Sequence, residues 1–198
     1  MPQAYQLHIE LRHIKPAIYR DVLVDPSMTL RKLHKVIQAA MGWEDYHLYG
    51  FALPHGSASY WRIPRGRKFE PPQDDDWSEP ANNDIKYKIS DVLRAPKDKL
   101  LYMYDFGDDW EHTIALKAIV EVDTALPHLM KAANGCPPED IGGVSGAAHW
   151  AAIWYDKTHG EHDIALQIFG EQEPNWLDFP VLQKAVEKLQ PKPKKVKP

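Results

Sequence analysis

Two strand-like segments joined by an acidic stretch constrain the fold of this chain more than any other feature. They span 100–106 and 110–122, and the residues between them read Gly107-Asp108-Asp109. Gly107-Asp108 is a Gly-first dipeptide of the kind found in two-residue hairpin turns, which would make Phe106 pair with Asp109. We therefore predict an antiparallel hairpin over 100–122, with Asp105 opposite Trp110 and Met103 opposite His112.

The predicted core face of this hairpin contains two polar residues, Asp105 and His112, which would lie diagonally across the strands. An unpaired polar group in a protein core is unfavourable, so these two side chains should contact each other. One interpretation is a buried hydrogen bond that fixes the register. The alternative is that Asp105 orients His112 as a base or as a metal ligand. The apolar members of the face are Leu101, Met103, Trp110, Ile114, Leu116, Ala118 and Val120.

The N-terminal quarter predicts two strands, a helix and a third strand. Apolar residues alternate from Tyr5 to Leu11, which is typical of a half-buried strand, and Ile18–Val24 should pair with it in antiparallel. Thr29–Met41 has the periodicity of an amphipathic helix that ends at Gly42. The segment 47–53 is again strand-like. This order is compatible with a β-grasp-like start to an α+β fold.

The remaining chain predicts one long loop and several helices. Residues 54–84 are rich in Pro, Gly, Ser and charge, which favours a loop excursion with a short hairpin near Tyr60–Ile63. Asp74-Asp75-Asp76 fits a solvated acidic loop better than a cation site. Helices are expected at 89–93, 144–157, 162–169 and 179–190. We predict a single α+β domain over 1–190 with packed C-terminal helices, followed by a flexible basic tail at 191–198.

Composition restricts the function classes. A net charge of −4 and a single cysteine argue against a global attraction to nucleic acid and against an intrachain disulfide. With no signal-peptide core and no long apolar run, the chain is predicted to be soluble and cytoplasmic, without a membrane partner. Weak nucleic-acid contact remains open through the C-terminal stretch KLQPKPKKVKP, which has five lysines, four of them in the tail.

The stretch GCPPEDIGG at 135–143 is the second motif. Pro137-Pro138 should be rigid and Gly142-Gly143 should turn tightly, so Glu139 and Asp140 between them could be aimed into a site. The alternative is a capping loop, in which Asp140 accepts amide hydrogens and Glu139 pairs with a nearby Arg or Lys. Cys136 is most simply a small buried residue.

The runs PAIYRDVLV, LHKVIQAAMGWEDYHLYGF, YMYDFGDDWEH and CPPEDIGGVSG resemble the plasmid pRi ORF-three-like family over roughly residues 5–180. Its members are small proteins of plasmids, mobile elements and many bacterial and archaeal chromosomes. The resemblance implies an α+β fold and transfers no biochemical activity. Its motif positions fall on Trp43, His47, Phe51, Tyr104, Asp105, Phe106, Gly107, Asp108, Trp110, His112, Cys136, Pro137, Pro138, Glu139, Asp140, Gly142 and Gly143.

Two positions depart from the family pattern. Tyr19 stands where a tryptophan commonly precedes the arginine, and no second cysteine precedes the CPPED stretch. The missing cysteine argues against a two-cysteine zinc or redox site.

Three hypotheses for function remain. The first is a binding or accessory protein that takes a small molecule or peptide in a polar pocket between the GDDWEH hairpin and the CPPED stretch. The second is a metal-dependent, hydrolase-like enzyme that uses a divalent cation at the same cluster, with His47 converging on Asp105 and His112. The third is a nucleic-acid-associated accessory protein of mobile elements that uses Arg62, Arg65, Arg67, Lys68 and the tail. The candidate pocket residues are His47, Asp105, Asp108, His112, Glu139 and Asp140.

Overall fold

A computed structural model describes residues 2–72 and 81–191. Its strands are β1 (Gln3–Leu11), β2 (Tyr19–Val24), β3 (Tyr49–Ala52), β4 (Lys68–Glu70), β5 (Asn82–Asn83), β6 (Lys99–Tyr104), β7 (Trp110–Glu121) and β8 (His128–Ala133). Within the described residues they form one eight-stranded sheet in the order β5-β4-β3-β6-β7-β1-β2-β8. Among these described strands the short pair β4–β5 is parallel and the other pairs are antiparallel.

The helices of the described residues are α1 (Leu30–Met41), α2 (Ile89–Val92), α3 (Gly143–Tyr155), α4 (His162–Phe169) and α5 (Phe179–Glu187). Single 3-10 turns lie at Tyr60–Arg62, Arg65–Arg67 and Asp84–Lys86. Across these residues, no helix combines the length and the apolar character needed to cross a bilayer. The five helices lie where the sequence predicts them, within three residues at each end, so those predictions are confirmed. The chain has a mixed α and β architecture.

Helix α1 forms where the sequence predicts it because both of its ends are capped. The Thr29 side chain accepts the amide of Lys32 at 3.4 Å. At the other end Gly42 adopts a left-handed φ of 90° and its amide donates to the Gln38 carbonyl. Helix α1 ends at this cap, and the loop 43–48 that follows contains His47.

The core lies mainly on the sheet face that α1 covers. Leu33 and Ile37 of α1 pack in one buried cluster with strand residues such as Leu7, Ile9 and Ile114. A second, smaller cluster occupies the opposite face, because Leu101 and Met103 alternate with Tyr102 and Tyr104 along β6. The 54–67 part of the excursion covers it with Tyr60 and Ile63.

The excursion 54–84 contains more structure than the predicted loop. It supplies β4 and β5, the last two strands at one end of the sheet. Residues Tyr60–Arg62 form a 3-10 turn, so the predicted hairpin there is wrong. Asp74-Asp75-Asp76 and the tail beyond Pro191 lie outside the described residues.

The β-grasp-like start is not confirmed. The order strand, strand, helix, strand is present, and β1 pairs with β2 in antiparallel as predicted. However, β6 and β7 are inserted between β3 and β1 in the sheet. Strand β3 therefore pairs with neither β1 nor β2.

The hairpin is confirmed as two antiparallel strands, but its predicted register is wrong. Tyr104 pairs with Trp110 and Tyr102 pairs with His112, so five residues, 105–109, connect the strands. A shift of one residue moves every β6 side chain to the other face. Leu101 and Met103 consequently pack in the second cluster, while Trp110, His112 and Ile114 lie in the main core as predicted.

Candidate functional site

The β6–β7 connection is shaped around the carboxylate of Asp105. Asp105 and Asp109 both adopt left-handed backbone conformations, with φ of 56° at each. One oxygen of Asp105, Oδ1, accepts the amides of Gly107 at 2.9 Å and Asp108 at 3.3 Å. Those bonds hold the side chain in place and leave Oδ2 directed at His47.

His47 lies in the loop after α1 and faces two carboxylates. Its Nε2 atom is 3.6 Å from Oδ2 of Asp105 and 3.2 Å from Oδ1 of Asp140. Within the described residues this buried nitrogen has no hydrogen-bond partner. Asp105 is buried, whereas the Asp140 side chain is 72% exposed, so the cluster is anchored inside and open to solvent on one side.

Two glycines bring Asp140 to this position. Gly142 and Gly143 have φ of 89° and 66°, in agreement with the predicted tight turn. A Cβ atom on Gly143 would lie 2.3 Å from the carbonyl oxygen of Asp108, and the Gly142 amide donates to Asp108 Oδ2 at 3.1 Å. The start of α3 therefore lies directly against the β6–β7 connection, which joins the two sequence motifs.

Glu139 is held by contacts different from those expected. Its carboxylate accepts the Tyr104 hydroxyl and, at 2.7 Å, the Glu44 amide, instead of pairing with an Arg or Lys. Burial, then the hydrogen bond to Glu139, raises the pKa of Tyr104. Trp43 stacks on Tyr104 and donates to the Pro137 carbonyl at 2.9 Å. The sequence pattern predicted no role for Trp43 or Tyr104, although both lie in the motifs that resemble the family.

The three side chains His47, Asp105 and Asp140 have the geometry of a metal-ligand set. Their ligand atoms lie within 4.8 Å of one another. In a tetrahedral zinc site, bonds of about 2.0–2.1 Å place neighbouring ligand atoms about 3.3 Å apart. The two distances from His47 Nε2, 3.2 and 3.6 Å, are close to that spacing. One imidazole and two carboxylates suit a first-row divalent cation and leave a coordination position open.

His112 does not belong to this cluster, so its predicted pairing with Asp105 is wrong. The shifted register places it in the core, where its Nδ1 lies 2.9 Å from the carbonyl oxygen of Trp110. Burial lowers the pKa of His112 to about 3, and the hydrogen bonds to backbone carbonyls only partly offset this. Asp140 takes the place that the sequence interpretation gave to His112.

A cavity of about 430 Å³ adjoins the cluster. One wall is the loop after α1 and the other is the CPPED segment (residues 136–140), and Asp140 is common to the cavity and the cluster. The hairpin residues Asp105, Asp108 and His112 are absent from its lining, which consists of Met41, Gly42, Trp43, Glu44, Tyr46, Cys136, Pro137, Pro138, Glu139 and Asp140. This cavity therefore lies between the CPPED segment and the loop after α1, and not between the CPPED segment and the hairpin.

Cys136 is held beside a buried arginine. Arg20 is fully buried, donates to the carbonyls of Ala40, Ala133 and Asn134 at 2.7–3.0 Å, and lies 3.5 Å from the Cys136 sulfur. Burial raises the pKa of the Cys136 thiol to about 11, and the charge of Arg20 only partly offsets this. Cys136 is therefore a partly buried thiol that packs against the main core, as the sequence interpretation of a small packed residue expects.

We expect Cys136 to react slowly with iodoacetamide at pH 7.5. The thiolate is the nucleophile, so a pKa of about 11 should lower the rate at least about 100-fold relative to a free cysteine. The rate of alkylation, followed by mass spectrometry in buffer and in urea, checks this. A native rate equal to that in urea would contradict it.

The four basic residues of the nucleic-acid hypothesis do not share one exposed face. Lys68 is buried with its Nζ 4.3 Å from the centre of the Tyr60 ring, and Arg65 lies 3.4 Å from a carboxylate oxygen of Glu70. Arg67 donates to the Pro54 carbonyl. Lys68, Arg65 and Arg67 thus contact groups of the excursion itself, whereas Arg62 is exposed.

The fold and the cluster define a class of protein: a mixed α and β protein with a candidate divalent-cation site at the contact between a hairpin and a glycine turn. The chain belongs to the plasmid pRiA4b ORF-3-like protein family, whose family model matches residues 3–181. It is 34% identical over 191 residues to "uncharacterized protein y4hQ" of Sinorhizobium fredii (strain NBRC 101917 / NGR234), covering 93% of this chain and 91% of that protein.

A solved structure shows the same fold. The crystal structure of MM3350, a protein of unknown function from Methanosarcina mazei Go1, has a TM-score of 0.76 and 29% sequence identity. The similarity covers 93% of this chain and 97% of that one. The resemblance seen in the sequence motifs is therefore confirmed at the level of family and fold.

Proposed function

We propose that this protein binds a divalent cation through His47, Asp105 and Asp140, and uses it to hold a small-molecule or peptide ligand in the adjoining cavity. One observation carries the proposal: His47 Nε2 is buried without a hydrogen bond, yet lies 3.2 and 3.6 Å from two carboxylate oxygens. An imidazole nitrogen placed in this way can offer its lone pair to a metal ion, and the two carboxylate oxygens would supply the neighbouring ligands.

The cavity supports a ligand that reaches the metal from the CPPED side. Asp140 belongs to both the cluster and the cavity wall. The Trp43 and Tyr46 side chains supply aromatic surface, and Glu139 is fixed by Tyr104 and the Glu44 amide. A binding or accessory role needs no further group.

A metal-dependent hydrolase is the second candidate function. Three protein ligands with an open position are the arrangement of catalytic zinc sites, where the metal lowers the pKa of a bound water. The exposure of Asp140 favours it, because solvent and substrate can reach that side of the cluster. Hydrolysis of ester or phosphodiester substrates by the zinc-loaded protein, lost in the ligand variants, would distinguish this function from binding alone.

Titration of the purified, chelator-treated protein with Zn²⁺ and Mn²⁺ by calorimetry tests the proposal. We expect one ion per chain, with affinity more than about 100-fold weaker in His47→Ala, since ligand loss should exceed the 10–100-fold cost of outer-sphere changes. Asp105→Asn should weaken binding similarly and still fold. Asparagine keeps the Oδ1 acceptor for the Gly107 and Asp108 amides and tolerates the left-handed backbone.

Asp108→Asn is the matched control. It removes a negative charge from the same connection, but its Oδ1 can still accept the Gly142 amide. We expect metal affinity within a few-fold of the unmodified protein, because a solvent-screened charge contributes up to about 1 kcal/mol. Equal weakening by Asp105→Asn and Asp108→Asn would assign the effect to general charge and contradict the proposed ligand set.

A further inference from the structure

We propose a second binding site, in a groove between the β1–β2 turn and α3, for a small amphiphile with an apolar body and an anionic head, of the class of medium-chain carboxylates. The groove has a volume of about 340 Å³. That size falls within the range of small-molecule sites. Its lining contains none of the metal-ligand candidates, so this site is independent of the proposed metal centre.

The walls of the groove are fixed by backbone contacts. The Gly135 amide donates to the Asn175 carbonyl at 2.7 Å, and a Cβ atom on Gly135 would lie 2.1 Å from the Trp176 carbonyl oxygen. Asn134 donates to the Ala17 carbonyl at 2.8 Å, which ties the same segment to the β1–β2 turn. Segments far apart in sequence are thus held together around one preformed groove.

The long wall of the groove is apolar. Helix α3 has no charged residue in its thirteen positions, GVSGAAHWAAIWY. Ala147 packs into the core, while the small side chains of Ala148 and Ala151 leave space along the groove and Tyr155 is 57% exposed at its end. Covering this surface with an apolar chain would remove apolar area from water, which is favourable.

The positive charge of the groove lining favours a ligand with an anionic head group. His13 and Lys15 both line the groove, and none of the described residues in its lining is Asp or Glu, although the chain as a whole has a net charge of −4. Arg12 and His13 both face Glu111, at 2.9 and 3.6 Å, whereas within the described residues Lys15 has no ion-pair partner and supplies the positive charge of the groove. A carboxylate at the Lys15 end would complement this charge, and an ammonium group would not.

Calorimetric titration of the whole protein with decanoate, beside decyltrimethylammonium and decanol, tests the proposal. We expect decanoate to bind at one site per chain and the cationic analogue not to bind. Lys15→Gln should weaken decanoate two- to fivefold, the range of an exposed ion pair. Ala151→Phe, which fills the groove, should weaken it more than about tenfold, as expected from steric exclusion in a packed site.

Ala152→Leu is the matched control, because Ala152 is exposed on α3 and does not line the groove. It should leave the decanoate affinity unchanged. Absence of decanoate binding, equal binding of the cationic analogue, or an undiminished affinity in Ala151→Phe would each overturn the proposal. Lys15→Gln changes an exposed side chain, so it keeps the test valid if Ala151→Phe does not fold.

Discussion

Replacement of Gly143 by alanine is expected to separate the two motifs and to remove metal binding. The added Cβ would lie 2.3 Å from the Asp108 carbonyl oxygen, and the backbone has a φ of 66° that alanine disfavours. The backbone strain and the steric overlap together should cost about 3 kcal/mol of unfolding free energy. For a chain of this length the melting temperature should fall by roughly 10 °C.

The effect of Gly143→Ala on the site should be larger than its effect on the fold. Asp140 precedes Gly143 by three residues, so moving the start of α3 away from Asp108 withdraws Asp140 from His47. Thermal unfolding and Zn²⁺ titration of the same preparation measure both effects. Gly160→Ala is the control, since a Cβ there meets nothing within 4 Å and the backbone φ is not left-handed. An unchanged affinity in a folded Gly143→Ala protein would show that this contact does not position Asp140.

The second large expected effect is a steep loss of stability in weak acid, caused by two buried histidines. Burial lowers the pKa of His34 to about 4, outweighing the attraction of Asp45, and lowers that of His112 to about 3. Both side chains are almost inaccessible to solvent. In the unfolded chain a histidine has a pKa near 6.5.

The sign of the effect follows from these values. Above about pH 6.5 both histidines are neutral in the folded and unfolded states, and their full contribution to stability is present. As the pH falls, the unfolded chain binds two protons that the folded protein excludes until about pH 4 and pH 3. The free energy of unfolding should therefore fall with decreasing pH, by up to about 2.7 kcal/mol per pH unit for two protons.

The surroundings of His34 explain why it stays neutral in spite of a carboxylate partner. Gln38 donates to the Tyr102 hydroxyl at 2.9 Å, so that hydroxyl can donate to His34 Nδ1 at 2.8 Å. The Nε2–H then donates to Asp45 at 2.6 Å. Lys35 also pairs with Asp45, and its positive charge lowers the pKa of His34 by repelling a protonated imidazole.

Urea unfolding at pH 7, 6 and 5 measures this dependence. His34→Gln and His112→Gln should each reduce the slope by about one proton, or roughly 1.4 kcal/mol per pH unit. His149→Gln, at an exposed position of α3, should leave the slope unchanged. If neither buried-site variant alters the slope, the acid sensitivity has another source.

The sequence predicted those elements whose signals are local. Helix α1 has Thr29 and Gly42 at its ends, and both act as caps. The hairpin strands were also predictable, but their register depends on left-handed conformations at Asp105 and Asp109. A non-glycine residue rarely adopts that conformation, so the Gly107-Asp108 pair was the more favourable turn by local rules.

The short strands β4, β5 and β8 were not predicted. Two of them have only three and two residues, and β8 has no clear alternation of buried and exposed positions. Their pairing depends on tertiary contacts, such as the Gln183 side chain that donates to the Leu129 carbonyl of β8. Local propensity carries little information about such edges.

The candidate site was predicted in its residues but only partly in its grouping. His47, Asp105 and Asp140 were all candidates, yet the sequence interpretation joined His47 and Asp105 with His112. Asp140 lies beside His47 and Asp105 because Gly143 approaches Asp108 closely across 35 positions of sequence. The residue pattern within either motif does not predict that the two motifs meet at this contact.

A crystal structure of the protein grown with Zn²⁺, with anomalous data collected at the zinc edge, tests the proposed metal site. We expect one strong peak per chain, about 2.0–2.2 Å from His47 Nε2, Asp105 Oδ2 and an oxygen of Asp140. A peak at other residues, or none at this cluster in a crystal that holds zinc elsewhere, would contradict it.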